Sequence, residues 1–197
     1  MEQKRVVAVF DFDGTLTTKD TFVEFIRFAR GQWSFLFGFL LHSPFIVMMK
    51  FRLYPNWKCK QRVFSFFFKG MDDKVFRQLC EQFSERIEVF KRQGVFDVFL
   101  KHVSDGAKVY VVSASVDEWI APFCRKYGID NVIGTKIEID SNGALTGRFS
   151  TKNCYGPEKV CRFMEAEPDR NAYTLYAYGD SRGDREIIEL ADKGFWV

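Results

Sequence analysis

The sequence predicts an α/β protein, a doubly wound parallel sheet with a helical cap inserted after its first strand. Short apolar runs rich in β-branched residues alternate with helical segments, which is the order typical of a parallel sheet. Several of these runs end in an acidic residue or a serine. Residues 21–100 show helical periodicity and no clear strand. Because ligands of such sheets bind beyond the carboxyl ends of the strands, we expect the functional residues there.

The first strand is predicted at residues 5–11, a continuous apolar run that ends in Asp11 and is followed by Gly14. Helix breaks are expected in the segment that follows, at Gly31, Pro44, Pro55 and Gly70. We therefore predict that residues 1–17 and 96–197 form the α/β core. Residues 18–95 are predicted to form the helical cap.

The rest of the core follows from similar patterns. A buried strand at 108–112 precedes an amphipathic helix at 116–127, which Gly128 ends. Asp140-Ser-Asn-Gly143 predicts a hairpin, and Pro157 suits the first turn of a helix. The remaining predictions are a short strand at 131–134, hairpin strands at 135–139 and 144–149, a strand at 173–178, a helix at 184–191 and a last strand at 194–197.

Composition excludes some classes of protein. The chain has 29 basic and 26 acidic residues, and a net charge of +3 is too small to predict a nucleic-acid surface. Its five cysteines show neither a C-x-x-C pair nor zinc-site spacing, which suits free thiols in a reducing compartment. The apolar run at residues 6–10 is too short for the core of a signal peptide. We expect a cytoplasmic protein without an export signal.

Asp11 and Asp13 lie two residues apart where the first strand ends. Two close carboxylates repel each other, and a divalent cation or a shared proton usually offsets that repulsion. Hard oxygen ligands of this kind suit Mg²⁺. The structural alternative is a strand-end turn in which an aspartate caps the next helix.

Further polar residues follow other predicted strands. Asp180 and Asp184 lie four residues apart and could reach one metal ion, although Asp180 could also serve only as a helix cap. Ser113 and the backbone N–H groups after it could bind phosphate at a helix N-terminus, or Ser113 could be a cap. Lys159 lies on the first turn of a helix, where a cation is unfavourable unless an anion needs it. Otherwise Lys159 is a surface lysine.

The order of these motifs is more specific than any one of them. Asp-x-Asp-Gly-Thr, a strand-end serine, a lysine on a helix and Gly-Asp-Ser-x-x-Asp resemble the four motifs of the haloacid dehalogenase superfamily, from Asp11 to Asp184. The resemblance implies a Rossmann-like core and a phosphatase in which Asp11 forms an aspartyl-phosphate and Asp13 is the general acid and base. It implies that Mg²⁺ binds Asp11, the Asp13 carbonyl, Asp180 and Asp184, and that the phosphoryl group contacts Thr15, Ser113, Ala114 and Lys159.

In the superfamily, an insert at this position is a cap that selects the substrate. The helical insert of this chain is similar to that of the phosphoserine phosphatase branch. That resemblance implies a carboxylate for the substrate ammonium group and an arginine for its carboxylate. Asp20 or Glu24, with Arg52 or Arg62, could supply these groups. We therefore expect a small phosphate monoester such as phosphoserine as one class of substrate.

The cap also holds two apolar stretches, within residues 33–53, that are flanked by basic residues. Neither stretch approaches the roughly 20 residues that span a bilayer, so a position in the headgroup zone is the membrane-bound alternative to packing inside the cap. The cap resembles that of bacterial phosphatases that act on phosphatidylglycerophosphate. This predicts a phospholipid headgroup phosphate as a second class of substrate, and peripheral contact with the inner face of the cytoplasmic membrane.

Two rivals belong to other functional classes. A receiver domain also has strand-end acids, a hydroxyl and a lysine, but it carries a stable aspartyl-phosphate. The long insert after the first motif and the paired Asp13 disfavour it. A catalytically silent membrane-binding module on the same fold is disfavoured by the intact motifs.

Overall fold

A computed structural model describes residues 4–197 of the chain. Residues 1–3, which belong to the predicted core segment and to the N-terminus in which no export signal is expected, lie outside the described residues. Five parallel strands form the central sheet in the spatial order β3-β2-β1-β6-β7, and two strands form a separate antiparallel hairpin. The strands are β1 (Arg5–Phe10), β2 (Lys108–Val116), β3 (Val132–Thr135), β4 (Ile137–Ile139), β5 (Leu145–Phe149), β6 (Tyr173–Gly179) and β7 (Lys193–Trp196).

The helices cover both faces of the sheet, as in a doubly wound fold. They are α1 (Thr21–Lys50), α2 (Asn56–Phe68), α3 (Asp73–Ile87), α4 (Gln93–Ser104), α5 (Asp117–Arg125), α6 (Pro157–Ala166) and α7 (Arg185–Leu190). Alternate residues of β1 enter two separate cores, because successive side chains of a strand point to opposite faces. Ala8 and Phe10 pack with the cap and α5, whereas Val7 and Val9 pack with α6 and α7. The predicted fold class is confirmed.

The cap consists of α1, α2 and α3, inserted between β1 and β2. Its interior is aromatic, which accounts for many of the 23 phenylalanines. Phe25 stacks on Trp119 of α5 with ring centroids 4.7 Å apart, and it meets Phe76 and Phe83 edge to face. These contacts join the cap and one face of the sheet into one continuous core. The predicted boundary after residue 95 falls inside α4, which packs on β2.

The hairpin β4–β5 also connects the core to the cap. Gly70 N–H donates to the Leu145 carbonyl at 2.7 Å, and Leu145 N–H donates to the Met71 carbonyl at 2.8 Å. Gly147 has φ +81, and a β-carbon there would lie 2.5 Å from Ser65 Oγ of α2. The hairpin therefore needs glycine at position 147 to approach the cap closely.

Helix α1 differs from its prediction. Gly31 has φ 77 and ψ 164 and kinks the helix, as expected from the sequence. The predicted break at Pro44 is wrong, because the helix continues through it to Lys50. Pro44 is exposed, so water can reach the backbone carbonyl that proline leaves without a partner. The segment after Gly31 is thus one long helix.

Candidate active site

The site lies beyond the carboxyl ends of β1, β2 and β6, as the parallel sheet requires. The Asp11 N–H donates to the Tyr178 carbonyl at 2.9 Å, which ties the end of β1 to β6. A cavity of about 390 Å³ opens here between the sheet and the cap. Its polar side is lined by Asp11, Asp13, Ser113, Ala114, Lys159 and Ser181. The structure therefore brings three of the four predicted motifs and part of the fourth to one cavity.

Asp11 is nearly buried at the floor of this cavity, at 7% exposure. Lys159 Nζ donates to Asp11 Oδ1 at 2.5 Å, and Thr15 Oγ1 donates to Asp11 Oδ2 at 3.3 Å. Burial raises the pKa of Asp11 to about 7; the Lys159 charge opposes this rise and the nearby Asp184 charge adds to it. A carboxylate so poorly solvated is stabilised as an anion only by the cations placed beside it.

Lys159 is completely enclosed and contacts two carboxylates. Its Nζ lies 2.5 Å from Asp11 Oδ1 and 2.5 Å from Asp184 Oδ1. Burial alone would lower the pKa of Lys159, but the two aspartates outweigh that effect and raise it. The surface-lysine alternative is therefore wrong. The lysine lies on the first turn of α6, which begins at Pro157.

Three carboxylates form an acidic cluster. Asp11, Asp180 and Asp184 each offer an oxygen atom, and these atoms lie within 4.8 Å of one another. Asp184 Oδ2 also accepts from Ser181 Oγ at 2.9 Å and from the Ser181 N–H at 3.0 Å, so its orientation is fixed. Burial, and then the Asp184 charge, raise the pKa of Asp180. Three carboxylates share one lysine, so the cluster combines oxygen ligands with repulsion that Lys159 offsets only in part.

These residues fit a divalent cation. Carboxylate oxygens are the ligands that Mg²⁺ prefers, and its charge would offset their repulsion. The backbone leaves room for this arrangement: a β-carbon on Gly14, at φ +84, would lie 2.2 Å from Asp180 Oδ2. One on Gly179 would lie 2.3 Å from the Asp184 β-carbon. Only glycine at these positions lets the two carboxylates approach Asp11.

The Asp13 carboxylate faces away from this cluster. Asp13 Oδ1 accepts from Thr21 Oγ1 at 2.6 Å and from the Thr21 N–H at 2.8 Å, and Asp13 Oδ2 accepts from Ser115 Oγ. Burial and then the Asp20 charge raise the pKa of Asp13, against the Lys60 charge and these hydrogen bonds. A raised pKa favours the protonated form that a general acid needs. Metal binding by Asp13 is predicted through its backbone carbonyl, which this orientation leaves available.

Sequence reasoning missed Thr21 and Ser115 as the residues that orient Asp13. Thr21 is the first residue of α1, and its Oγ1 also accepts from Trp119 Nε1 at 3.2 Å. Ser115 lies in β2, which extends four residues beyond the predicted strand. The hydroxyl two residues after Ser113 was the available signal, since alternate residues of a strand point to one face.

Ser113 and Ala114 border the cavity at the end of β2. Ser113 is 1% exposed, and its Oγ accepts from the Ser115 N–H at 3.1 Å. The next helix, α5, begins only at Asp117, so Ser113 is neither its cap nor part of its first turn. Thr15 lies behind Asp11, between it and Asp180, at 3.4 Å from Asp180 Oδ1.

The four cap residues predicted to bind substrate are not brought together. Asp20 borders the cavity, but its Oδ1 accepts from the N–H groups of the first turn of α1 and so caps that helix. Glu24 pairs with Arg27 at 2.8 Å, and Arg62 stacks on Phe45 at 4.1 Å from the ring centroid. Glu24, Arg52 and Arg62 do not line the cavity: Glu24 turns towards Arg27, and Arg52 and Arg62 are exposed on the cap. Lys60, which sequence reasoning did not select, lines it instead.

An α/β sheet that gathers an acidic cluster, a buried lysine and a strand-end serine around one cavity is typical of phosphoryl-transfer hydrolases. Residues 8–189 match the family of haloacid dehalogenase-like hydrolases. The chain belongs to this family, as the resemblance predicted.

Two relatives illustrate the match. The chain is 34% identical over 201 residues to protein CicA of Caulobacter vibrioides, and the match covers 100% of this chain and 88% of CicA. It is 26% identical over 204 residues to a probable phosphatase of Mycobacterium tuberculosis, covering 94% of this chain and 66% of that protein. The protein is therefore an enzyme of the phosphatase type.

Solved structures share the fold. A protein of unknown function from Bordetella pertussis superposes with a TM-score of 0.81 at 19% identity, over 96% of this chain and 88% of that one. A substrate-bound phosphoserine phosphatase superposes with a TM-score of 0.66 at 18% identity, over 96% and 84%. The phosphoserine phosphatase-like architecture expected from the sequence is confirmed.

Proposed function

We propose that this protein is a Mg²⁺-dependent phosphatase that hydrolyses a phosphate monoester through an aspartyl-phosphate on Asp11. The observation that carries the proposal is the position of Asp11, at the floor of the cavity with one oxygen held by Lys159 and the other by Thr15. A carboxylate fixed in this way is oriented for attack on a phosphorus atom that enters from the cavity.

In the first half-reaction, an Asp11 oxygen forms a bond to phosphorus and the bond from phosphorus to the ester oxygen breaks. Asp13 donates its proton to the departing oxygen, which leaves as an alcohol. In the second half-reaction, Asp13 accepts a proton from water as the water oxygen attacks phosphorus, and inorganic phosphate leaves with Asp11 restored. Thr21 and Ser115 support this role because their hydrogen bonds orient the carboxylate of Asp13, which lies two residues after the nucleophile in the sequence.

Lys159, Ser113 and the N–H of Ala114 are proposed to contact the phosphoryl oxygens. Lys159 is a cation enclosed by protein, where electrostatic interactions are stronger than in water. It also reduces the repulsion between Asp11 and an incoming phosphate dianion. Asp11, Asp180, Asp184 and the Asp13 carbonyl would hold Mg²⁺, which would supply additional positive charge for the phosphoryl group.

The cavity wall supports a substrate with an apolar part. The cap contributes Phe22, Val23, Phe39, Ile46 and Met49 to this wall, with Lys60 as its basic side chain. A small phosphometabolite and a phospholipid headgroup phosphate, such as that of phosphatidylglycerophosphate, both remain within the proposal. Phosphoserine is the alternative, and the wall supports it less, because none of the described residues lining the cavity is an arginine.

The test is hydrolysis of an aryl phosphate by the whole chain with and without Mg²⁺. Asp11→Asn is expected to abolish turnover while the fold is retained. Asp97→Asn is the matched control, because Asp97 is exposed and its carboxylate accepts a hydrogen bond from Gln93, outside the cavity. EDTA is expected to stop the reaction and Mg²⁺ to restore it. Undiminished turnover by Asp11→Asn, or turnover that EDTA leaves unchanged, would refute the proposal.

Asp13→Asn separates the two half-reactions. With a good leaving group, the variant is expected to accumulate acid-stable labelled phosphoenzyme, because no carboxylate remains to activate water. If the label fails to accumulate while Asp11→Asn is inactive, the acid and base role of Asp13 is wrong.

A further inference from the structure

The second half of α1 exposes large apolar side chains, which a protein in water usually buries. Its solvent side is apolar, and we call this surface the outer cap face: Trp33, Phe37, Leu40, Leu41, Val47 and Phe51. The steps between these positions follow the turns of a helix, so the side chains form one stripe. Trp33 is 85% exposed, Leu40 74% and Phe51 72%. An exposed stripe of six apolar side chains is typical of an interaction surface.

The opposite side of this helix is occupied. Phe35, Gly38 and His42 are buried, and a β-carbon on Gly38 would lie 2.2 Å from the Phe67 ring of α2. Helix α1 has the length and the mean hydropathy, 1.3, of a membrane span. Its packing on α2, and the contacts of Thr21 with Asp13 in the site, keep it against the protein. The outer cap face can therefore lie on the surface of a membrane. Helix α1 could cross that membrane only by breaking its contacts with the rest of the protein.

The distribution of charged residues indicates which kind of partner the outer cap face contacts. Residues 25–71 contain eight of the chain's basic residues and none of its 26 acidic residues, so this segment carries +8 and the rest of the chain −5. Residues 32–49 contain no charged residue, and the exposed basic side chains Arg30, Lys50 and Arg52 flank them. An apolar stripe about 27 Å long between basic ends matches the apolar and anionic layers of a lipid leaflet. A second copy of this chain on the same face would bring like-charged flanks, those of Arg30, Lys50 and Arg52, against each other.

We propose that the outer cap face docks the enzyme on an anionic lipid bilayer, as a peripheral contact on the cytoplasmic side. The helix lies in the headgroup zone with Trp33 and Phe51 as its two apolar anchors. Lys50 and Arg52 contact lipid phosphates at one end and Arg30 at the other. The five free cysteines suit the same compartment.

The docked helix also borders the active site. Phe39, Ile46 and Met49 project from α1 into the cavity that ends at Asp11. Resting on the proposed function, the inference is that the substrate is an amphiphile: a phosphate monoester with its apolar part in the bilayer and its phosphate at Asp11. One helix would then contact the membrane and guide the substrate.

The test is co-sedimentation of the whole chain with phosphatidylcholine vesicles, alone or with roughly 30% phosphatidylserine. Binding is expected with the anionic vesicles and is expected to weaken as salt rises. A variant with Trp33→Ser, Leu40→Ser and Phe51→Ser is expected to lose at least about tenfold in binding. Val89→Ser with Trp196→Ser is the matched control, because both residues are exposed and apolar but lie outside the outer cap face.

Activity separates this inference from the proposed function. The triple variant is expected to hydrolyse a soluble aryl phosphate like the parent chain, since none of its three positions lines the cavity. It is expected to lose activity on lysophosphatidic acid in anionic vesicles, while glycerol phosphate turnover is unchanged.

Three results would overturn the docking. They are no binding to anionic vesicles, equal loss in the control variant, or dimers in light scattering that the triple variant abolishes. Aryl phosphate turnover that depends on Asp11, without vesicle binding, would leave the proposed function standing alone. Vesicle binding without any turnover would instead refute the proposed function.

Discussion

The floor of the active site and the outer cap face invert the usual distribution of residues. At the floor, Lys159, Asp11 and Asp184 are charged and almost fully buried, and every one has an ionic partner. On the cap, Trp33 and Leu40 are apolar and mostly in solvent. Buried charges cost stability unless they are paired, and exposed apolar groups cost it unless something covers them. Such departures mark the places where function, and not folding, selects the residue.

The difference predicts opposite responses to mutation. Side chains at the floor support one another, so a change there removes support from its neighbours. Side chains on the outer cap face are half or more exposed, although Phe37 meets the Phe66 ring at 6.5 Å. A change at the most exposed of them is therefore expected to affect the proposed docking and to leave the fold intact.

Lys159→Met is expected to destabilise the fold by about 3–5 kcal/mol without metal, because it leaves two buried carboxylates without their cation. Urea unfolding in EDTA measures this, and Mg²⁺ is expected to recover part of the loss. Lys152→Met is the control, since Lys152 is exposed and outside the ion pairs of the described residues. Equal stability of the two variants would contradict the pairing at the floor.

Gly14→Ala is expected to reduce hydrolysis by about 10–100-fold, as loss of support for a metal ligand does. The new β-carbon would occupy the position of the Asp180 carboxylate, 2.2 Å away. It would also destabilise the fold by about 1–2 kcal/mol, since alanine is strained at positive φ. Gly106→Ala is the matched control: Gly106 has φ +76 with nothing within 4 Å, so it should show the strain and keep full activity.

Glu167→Gln tests a fourth buried charge, near the opposite end of β1 from the catalytic residues. Burial alone would raise the pKa of Glu167, but hydrogen bonds from Arg5, Lys108 and Tyr110 outweigh it and hold the pKa at about 2. The pKa in the folded protein lies below the ordinary value of 4.5, so the ionised Glu167 stabilises the fold fully above about pH 4.5. This contribution is lost as the pH falls from 4.5 towards 2.

The variant should therefore be about 1–3 kcal/mol less stable than the parent at pH 7. Chemical denaturation at several pH values should show the difference shrinking below about pH 4.5. The exposed Glu165→Gln is the matched control. A difference that stays constant down to pH 2 would show that the charge of Glu167 is not what stabilises the fold.

Leu40→Ser is expected to change the free energy of unfolding by less than about 0.5 kcal/mol, because an exposed leucine gains little from the fold. Phe25→Ala, on the buried part of the same helix, should cost about 3–5 kcal/mol. Thermal or urea unfolding of both variants checks the contrast. A large loss for Leu40→Ser would mean that the outer cap face packs on something within the chain.

Much of the core could be read from local patterns. The apolar run before Asp11, the turn after Ile139 and the proline at the start of α6 each depend on neighbouring residues alone, and each element formed where it was predicted. The end of β2 could not be predicted, because the strand extends past Val112 only through the pairing of Val116 with Thr135 of β3, across an irregular register at residues 113–115. Helix α1 passes through Pro44 because the exposed side of a packed helix tolerates the lost hydrogen bond.

The sequence by itself determined the family motifs, the alternation of strands and helices, and the strand ends at which the chemistry of Asp11 and Ser113 would lie. These follow from spacing along the chain and from the geometry of parallel sheets. Only the tertiary structure decided that Thr21 and Ser115 hold Asp13, that Glu24 and Arg62 face away from the cavity, and that the apolar side of α1 is exposed. The orientation of a helix depends on partners far away in sequence, and here α2 covers the side with Gly38 and leaves the side with Leu40 in solvent.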